Sequence, residues 1–256
     1  MGLLEGKKAL IFGVANDKSI AWAIAEAFRK EGAVLGFAYA NDTVAKRVIP
    51  LAESIGAKFS LQCDVRNDAD IAETFSTVRE RWGHLDILVH SVAFASKDEL
   101  KGSFLNTTRE GFHLAMDVSA YSLIALVKEA APLMEGNGGS IITLSYYGGQ
   151  KVFPSYNVMG VAKAALEMSV RYLAEAVGAH GVRVNAISAG PLKTLAAAGV
   201  GGFNQIAGIV SEKAPLRRNI TQEEVAGAAL YLASPLSSGV TGEIHFVDSG
   251  YNIIGL

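Results

Sequence analysis

The sequence predicts an α/β fold, a doubly wound parallel sheet of about seven strands with helices on both faces. Short apolar runs alternate with longer helical patterns along the chain, which is the rhythm of repeated strand–helix–strand units. Several runs are apolar on both faces, as at residues 10–12 and 87–89, and this is typical of strands that helices cover on both sides. The chain has 256 residues, of which 50% are hydrophobic and 19% charged, which suits one core and leaves no room for a second full domain.

Each element is placed where the periodicity changes. Apolar strands are predicted at residues 7–13, 33–39, 58–62, 85–90, 140–145 and 182–188, and from near Gly242 to Asp248. Amphipathic helices are predicted at residues 19–31, 43–55, 69–82, 111–131 and 155–178. Glycines and amides interrupt the uncharged stretch from Thr194 to Ser211, so we predict a loop with short helices there. No linker or repeat divides the chain, and we expect a single Rossmann-type domain over residues 1–256.

The composition disfavours several classes of partner. Lys and Arg total 23 against 25 Asp and Glu, and this formal net charge of −2 lacks the basic excess of nucleic-acid-binding proteins. Cys63 is the single cysteine and the five histidines lack metal-ligand spacing, so we expect neither a disulfide nor a metal site. The apolar run at residues 9–15 is too short for a signal sequence or a membrane span, and we expect a cytoplasmic protein.

The loop after the first strand is a candidate anion site, because ligands bind beyond the carboxyl ends of parallel strands. Gly13 permits a tight turn, and Ser19 is a candidate helix N-cap before Ile20. Backbone N–H groups and the helix dipole would then point at an anion such as a pyrophosphate. The G-x-G-x-x-G fingerprint is absent, and an ordinary strand-to-helix turn explains this loop equally well.

The end of the second strand indicates which dinucleotide fits. Residues 39–42 contain no Lys or Arg, and the next basic residue is Lys46. Basic residues here accept an adenosine 2′-phosphate, whereas an acid binds the 2′-hydroxyl, so NADH is favoured over NADPH. Asp42 itself is better interpreted as the cap of the next helix than as a ribose ligand.

The third and fourth strand ends carry further candidates. Asp64 and Val65 offer a carboxylate and a backbone N–H to the edge of an adenine, or they form the turn before the next helix. Ser91 and Ala93 belong to a run of small side chains that lets the backbone approach a ribose, or that simply packs.

Tyr156 and Lys163 follow the fifth strand and stand seven residues apart, so a helix places them on one face about two turns apart. An ammonium near a phenol favours the phenolate and strengthens the phenol as a donor to a developing oxyanion. This pairing suits hydride chemistry, in which charge builds on an oxygen. A surface lysine beside a half-buried tyrosine is the alternative.

With these motifs, the chain resembles the short-chain dehydrogenase/reductase superfamily and, within it, the enoyl-acyl-carrier-protein reductases of bacterial type II fatty-acid synthesis. The likeness covers nearly the whole chain. Ordinary members of the superfamily place the tyrosine four residues before the lysine, where this chain has Met159, and the seven-residue spacing is typical of the enoyl reductases. The resemblance implies NADH-dependent reduction of the trans-2 double bond of an enoyl thioester on acyl carrier protein. It also implies a homotetramer.

The resemblance assigns roles to individual residues. Tyr156 would stabilise an enolate oxygen, Lys163 would hold the nicotinamide ribose, and Tyr146 would shape the thioester end of the pocket. The implied cofactor-binding residues are Gly13, Ser19, Ile20, Asp64, Val65, Ser91, Ala93, Ser145, Lys163, Ala189, Leu192 and Thr194.

The segment from Ala189 to Thr194 resembles the one that faces the carboxamide and opens a substrate-binding loop at about 192–212. A turn at Gly190 and Pro191, a helix cap at Thr194 and aromatic packing of Tyr146 are the simpler interpretations. Phe203 and Ile206 line an acyl channel or serve packing.

One departure from the family concerns the carrier protein. Relatives often have basic residues after the glycine–proline segment, where this chain has Gly201, Asn204 and Gln205. Either docking uses Lys193, Arg217 or Arg218, or the enzyme prefers another thioester carrier. Two other functions stay open: a superfamily oxidoreductase acting on a ketone or alcohol, and a catalytically silent nucleotide-binding scaffold.

Overall fold

The structure is a computed structural model that describes residues 2–195 and 202–255. Seven parallel strands form one sheet in the order β3-β2-β1-β4-β5-β6-β7, which confirms the predicted doubly wound architecture. The strands are β1 (Lys8–Phe12), β2 (Val34–Tyr39), β3 (Phe59–Gln62), β4 (Ile87–His90), β5 (Gly139–Ser145), β6 (Val182–Ala189) and β7 (Ile244–Val247).

Helices connect the strands and cover the sheet. They are α1 (Ile20–Lys30), α2 (Asp42–Ser54), α3 (Asp68–Trp82), α4 (Arg109–Met116), α5 (Ser122–Met134), α6 (Asn157–Gly178), α7 (Phe203–Lys213) and α8 (Gln222–Ala233). The single helix predicted at 111–131 is interrupted by a π-helical segment, Asp117–Tyr121, because apolar periodicity does not distinguish a π turn from an α turn. The predicted loop at 194–211 holds most of α7, an 11-residue helix.

Alternating strand residues pack into two cores, one on each face of the sheet. Leu10 and Phe12 face the core shared with α3, α5 and α6, whereas Ala9 and Ile11 face the core shared with α1, α2 and α8. Burial on both faces explains why these strands have no polar side. None of the helices within the described ranges is long and apolar enough to cross a membrane.

The strand order creates a crevice between β1 and β4. The chain runs outward from β1 through β2 to β3, and then returns to the other side of β1 to form β4. Helices leave β1 and β4 in opposite directions at this switch point, which is where open α/β sheets bind ligands.

Candidate active site

The two loops at the switch point touch through a glycine. Gly13 follows β1 with φ of 95°, and a Cβ atom there would lie 2.0 Å from the carbonyl oxygen of Ser91, which follows β4. The Ser91 N–H donates to the Phe12 carbonyl at 3.2 Å. Only glycine allows this approach, so the predicted turn at Gly13 also keeps the mouth of the crevice narrow.

Ser19 is the N-cap of α1 by position, but its side chain does not cap the helix. Its Oγ accepts hydrogen bonds at 3.0 Å from the backbone N–H groups of Ala15 and Asn16. Ser19 therefore shapes the loop before α1. The first-turn N–H of Ile20 has no intrahelical acceptor, as at the start of any helix, and this end of α1 suits an anion.

The end of β2 differs in one detail from the prediction. Asn41, rather than Asp42, is the N-cap of α2, and its side chain accepts from the N–H of Val44 at 3.1 Å. Asp42 is the first helical residue, where its negative charge interacts favourably with the positive end of the helix dipole.

Asp64 is engaged by a neighbouring arginine. Its carboxylate accepts from the Arg66 backbone N–H at 3.0 Å and from the Arg66 guanidinium at 2.5–3.1 Å, and this hydrogen bonding lowers the pKa of Asp64. Val65 is buried in a core, so the backbone N–H is the group it offers to a ligand. The predicted pair thus follows β3 at the carboxyl edge of the sheet, as expected. The Asp64 carboxylate is already bonded to Arg66.

The loop after β4 is attached to the π segment. Ser119 Oγ accepts from the Phe94 N–H at 2.9 Å, next to the exposed Ala93. Deeper in, the buried His90 ring bonds Thr143 Oγ1 and Ser122 Oγ, both at 2.8 Å. Burial, with the charge of Lys163 adding to it, lowers the pKa of His90 to about 3, so the ring is neutral. The π segment therefore fixes the loop that carries two of the predicted cofactor residues.

Tyr156 and Lys163 both face the segment that follows β5. A Cβ atom at Gly148 would lie 2.5 Å from Tyr156 Cδ1, and one at Gly149 would lie 3.0 Å from the carbonyl carbon of Lys163. The buried Lys163 Nζ donates to the Leu144 carbonyl at 2.7 Å. The structure thus brings the two side chains to residues 144–149, as the helical spacing predicts.

Tyr156 lies at a strained helix start. It is the N-cap residue of α6, and its neighbours Ser155 and Asn157 have positive φ of 66° and 41°. The Asn157 amide donates to the Glu99 carbonyl at 3.2 Å, which helps to hold this conformation. Strain of this kind is concentrated at functional positions.

Burial shifts the pKa of both Tyr156 and Lys163. Burial raises the pKa of Tyr156, with smaller contributions in the same direction from Tyr146 and Glu167. Burial lowers the pKa of Lys163 to about 8, and the amine is committed to a backbone carbonyl. The raised pKa favours a neutral phenol at Tyr156, and the effect of the Lys163 charge on that phenol stays a prediction.

Tyr146 belongs to an aromatic cluster. Its ring meets those of Tyr156 and Phe153 with centroids 5.1 Å apart in each pair. The buried Ser145 before it donates from Oγ to Glu167 Oε1 at 2.6 Å. The simpler interpretation of Tyr146 was aromatic packing beside Tyr147, and the structure instead packs its ring on Tyr156 and Phe153, which leaves a substrate role open, while Ser145 bonds α6.

Sequence reasoning did not single out Glu167 or His90. Glu167 stands one turn after Lys163 on the buried side of α6, and an acid among apolar positions is the signal that points to it. His90 is the last residue of a strand otherwise made of Ile, Leu and Val, and its position at the switch point is the corresponding signal.

The end of β6 closes the other side of the crevice. Ala189 is buried, the Gly190 N–H donates to the Val247 carbonyl at 2.8 Å, and Leu192 packs against a core. The Thr194 N–H donates to the Leu192 carbonyl at 2.9 Å, which forms a turn. Thr194 does not cap α7, because Gly202 precedes that helix.

The substrate-loop candidates lie partly in described structure. Phe203 and Ile206 are half-buried on α7, and Asn204 and Gln205 are exposed there. Gly201 lies outside the described residues.

The three basic candidates for carrier docking differ in their partners. Arg218 pairs with Glu224 at 2.5 Å, and Arg217 donates to the Glu212 carbonyl. Lys193 is exposed.

A crevice at the switch point of a parallel sheet, with a Tyr–Lys pair against the end of β5, is typical of oxidoreductases of the short-chain dehydrogenase/reductase type. The family model described as Enoyl-(Acyl carrier protein) reductase matches residues 13–252. The chain is 55% identical to the enoyl-[acyl-carrier-protein] reductase [NADH] FabI of Rickettsia prowazekii over 99% of this chain and 97% of that protein.

Two crystal structures of enoyl-acyl-carrier-protein reductases are similar to the whole chain. One is from Anaplasma phagocytophilum in complex with NAD, with a TM-score of 0.96 and 51% identity, covering 100% of this chain and 97% of that one. The other is from Bacillus cereus with NADP+ and indole naphthyridinone, with a TM-score of 0.97 and 50% identity, covering 100% of both chains. The chain belongs to the enoyl-acyl-carrier-protein reductase family.

Proposed function

We propose that this chain uses NADH to reduce the trans-2 double bond of an enoyl thioester on acyl carrier protein, within one domain over residues 1–256. The observation that carries the proposal is the convergence of Tyr156 and Lys163 on residues 144–149, at the strand edge where the crevice opens. The relative from Rickettsia prowazekii, which is named for this reaction and this cofactor, supports it.

The residues present fit a dinucleotide. The first turn of α1 suits a pyrophosphate, and Gly13 brings the β1 and β4 loops close enough for backbone contacts to a ribose. Asp64 and Val65, which follow β3, would border the adenine. Lys163 would hold the nicotinamide ribose, and Ala189, Leu192 and Thr194 would border the carboxamide.

The chemistry divides between the cofactor and the protein. Bound NADH would supply the hydride for the β carbon of the enoyl group, and a proton is then added to the α carbon to give the saturated thioester. The neutral phenol of Tyr156 donates a hydrogen bond to the thioester oxygen, and this bond strengthens as negative charge builds on the enolate. Lys163 keeps a positive charge near that oxygen, and Tyr146 fixes the ring of Tyr156 by edge contact.

A preference for NADH over NADPH is part of the proposal. Residues 39–42 at the end of β2 contain no Lys or Arg, so this turn itself offers a 2′-phosphate no positive side chain. The Bacillus cereus relative was crystallised with NADP+, so Michaelis constants for both cofactors must be compared.

The decisive experiment follows the oxidation of NADH. One enoyl group is presented on acyl carrier protein and on coenzyme A, beside a panel of ketones. Turnover of the enoyl thioesters alone supports the proposal, whereas turnover of ketones alone supports the alternative oxidoreductase. NADH binding without any turnover indicates the silent scaffold.

For the carrier protein, Lys193 and Arg217 are the better docking candidates, because the charge of Arg218 is already paired with Glu224. If the carrier protein is acidic, we expect the Michaelis constant for the carrier-protein substrate to rise with salt concentration. Charge reversal at Lys193 should weaken that salt dependence for the carrier-protein substrate and leave the coenzyme A substrate unchanged.

We also propose a homotetramer. Val161, Met168 and Tyr172 form an exposed apolar stripe along α6, and their exposed fractions are 37%, 51% and 73%. An apolar hollow of about 360 Å³ lies beside it, bordered by Tyr121 and Ile124. Light scattering should report four chains, and Tyr172→Glu should give smaller species.

We also propose that the protein acts in the cytoplasm, because the proposed reaction consumes NADH. Fractionation of the source cells tests that location.

A further inference from the structure

Glu167 is a buried carboxylate one turn beyond Lys163. Its side chain belongs to a residue that is 3% exposed, and Lys163 is 6% exposed on the same helix. Oε1 accepts from Ser145 Oγ at 2.6 Å, and Oε2 accepts from the amide of Gln150 at 2.9 Å. Residues at i and i+4 lie on one face of a helix, and both side chains bond the end of β5, Lys163 at the Leu144 carbonyl and Glu167 at Ser145 Oγ.

Both oxygens of the Glu167 carboxyl group have a partner. The Ser145 hydroxyl bonds Oε1, and the Gln150 amide donates to Oε2. A buried negative charge is costly unless a positive charge compensates it. Lys163 is the buried cation in position to do so.

We propose that Glu167 is a positioning residue that keeps the Lys163 ammonium charged in its buried site, so that Lys163 remains a donor to the dinucleotide. The inference deepens the proposed function and rests on the role of Lys163 in holding NADH. Glu167 does not touch the reacting atoms. It acts through the field at Lys163 and by tying Ser145 and Gln150 to α6.

Among the described titratable groups named here around Lys163, Glu167 is the acid. His90 on β4 is a neutral ring, and Tyr156 and Tyr146 are phenols whose pKa burial raises. Burial lowers the pKa of Lys163 to about 8, and Glu167 opposes that shift. Removing the carboxylate charge should therefore lower the pKa of Lys163 further.

The test is the pH dependence of NADH affinity, measured by calorimetry from pH 6 to 10. In the unmodified enzyme, affinity should fall as the pH rises through about 8, where Lys163 loses its proton. Glu167→Gln should move that fall down by about one pH unit, with about fivefold weaker binding at pH 8. Gln150 can reverse its amide to accept from the new side chain, so the hydrogen bonds survive.

Two variants separate charge from shape. Glu175→Gln makes the same chemical change at an exposed position further along α6 and should leave the profile unchanged. Glu167→Asp keeps the negative charge, so the loss of NADH affinity should still occur near the original pH. The affinity itself can be lower at every pH. A profile for Glu167→Gln that matches the unmodified enzyme overturns the proposal.

The proposal remains testable if Glu167→Gln does not fold. Carbon-13 labelling of glutamate in the unmodified enzyme reports the carboxyl shift of Glu167, assigned by its loss in Glu167→Asp. A carboxyl that stays protonated between pH 6 and 9 overturns the inference. Failure of the unmodified enzyme to bind NADH at pH 7 would instead contradict the proposed function.

Discussion

The two halves of the proposed site present different parts of the chain to a ligand. Around β1 and β4, the cofactor half consists of backbone groups and small residues, with Gly13 packed on Ser91. Around β5 and α6, the catalytic half consists of large side chains that are wholly or half buried: Tyr146, Tyr156, Lys163 and Glu167.

This difference explains how each half tolerates change. A backbone site depends on the close approach of two loops, so a single methyl group disrupts it while most polar substitutions do not. A side-chain site depends on the chemistry of each group and on what desolvates it. Four substitutions test this contrast, and their expected effects decrease in the order given.

Gly13→Ala should be the most damaging change. The new Cβ would meet the Ser91 carbonyl oxygen at 2.0 Å, and the residue has φ of 95°. We expect the free energy of unfolding to fall by about 3 kcal/mol and NADH binding to be lost. Chemical denaturation and calorimetry measure both.

Gly6→Ala is the control for Gly13→Ala. Gly6 also has positive φ, of 72°, but a Cβ there has open space, so the loss should be about 1 kcal/mol. Equal losses at the two positions would contradict the close-approach argument.

Tyr156→Phe should reduce kcat about 100-fold, because it removes the hydroxyl that we propose as a donor to the enolate oxygen. NADH affinity should change less than twofold, since we assign cofactor binding to other groups. Stopped-flow kinetics measures kcat, and calorimetry measures the affinity for NADH. Tyr172→Phe, at a side chain 73% exposed, is the matched control, and an unchanged kcat for Tyr156→Phe would rule out the assigned role.

Lys163→Ala should weaken NADH binding about tenfold, as expected for one lost charged hydrogen-bond donor. It also leaves Glu167 without its compensating charge, so thermal stability should fall. Calorimetry at pH 7 is the measurement, with circular dichroism to verify folding. Normal NADH affinity would refute the assignment of Lys163 to the ribose.

Asp64→Asn should have the smallest effect, about threefold on NADH affinity. The carboxylate is already bonded to Arg66, and the adenine contact then depends on the backbone of Val65. Competition between NADH and adenosine nucleotides tests this assignment. A loss as large as that of Lys163→Ala would show that a side chain dominates this end of the site.

The strand positions and the Tyr–Lys face were predictable because they depend on local periodicity. Residues 10–12 alternate between two cores, and Tyr156 and Lys163 are separated by whole helical turns, whatever lies around them. The π segment at Asp117–Tyr121 escaped prediction because one extra residue in a turn leaves the apolar pattern almost unchanged.

Glu167 escaped prediction for a different reason. Its partners Ser145 and Gln150 stand 22 and 17 residues earlier in the chain, so folding alone brings them to α6. Ser19 differs, because it is the N-cap by position, as predicted, and its hydroxyl bonds the nearby loop at Ala15 and Asn16 instead of the helix.

The sequence by itself determined which elements form, in what order they join, and which pair of side chains shares a helix face. Only the tertiary structure decided that burial raises the pKa of Tyr156, that Lys163 is buried against Leu144, and that Glu167 is bonded to Ser145 and Gln150. The physical reason is the distance along the chain over which each kind of interaction acts. Helix and strand patterns arise between residues close in the chain, whereas charge states depend on burial, which every element packed around the group determines together.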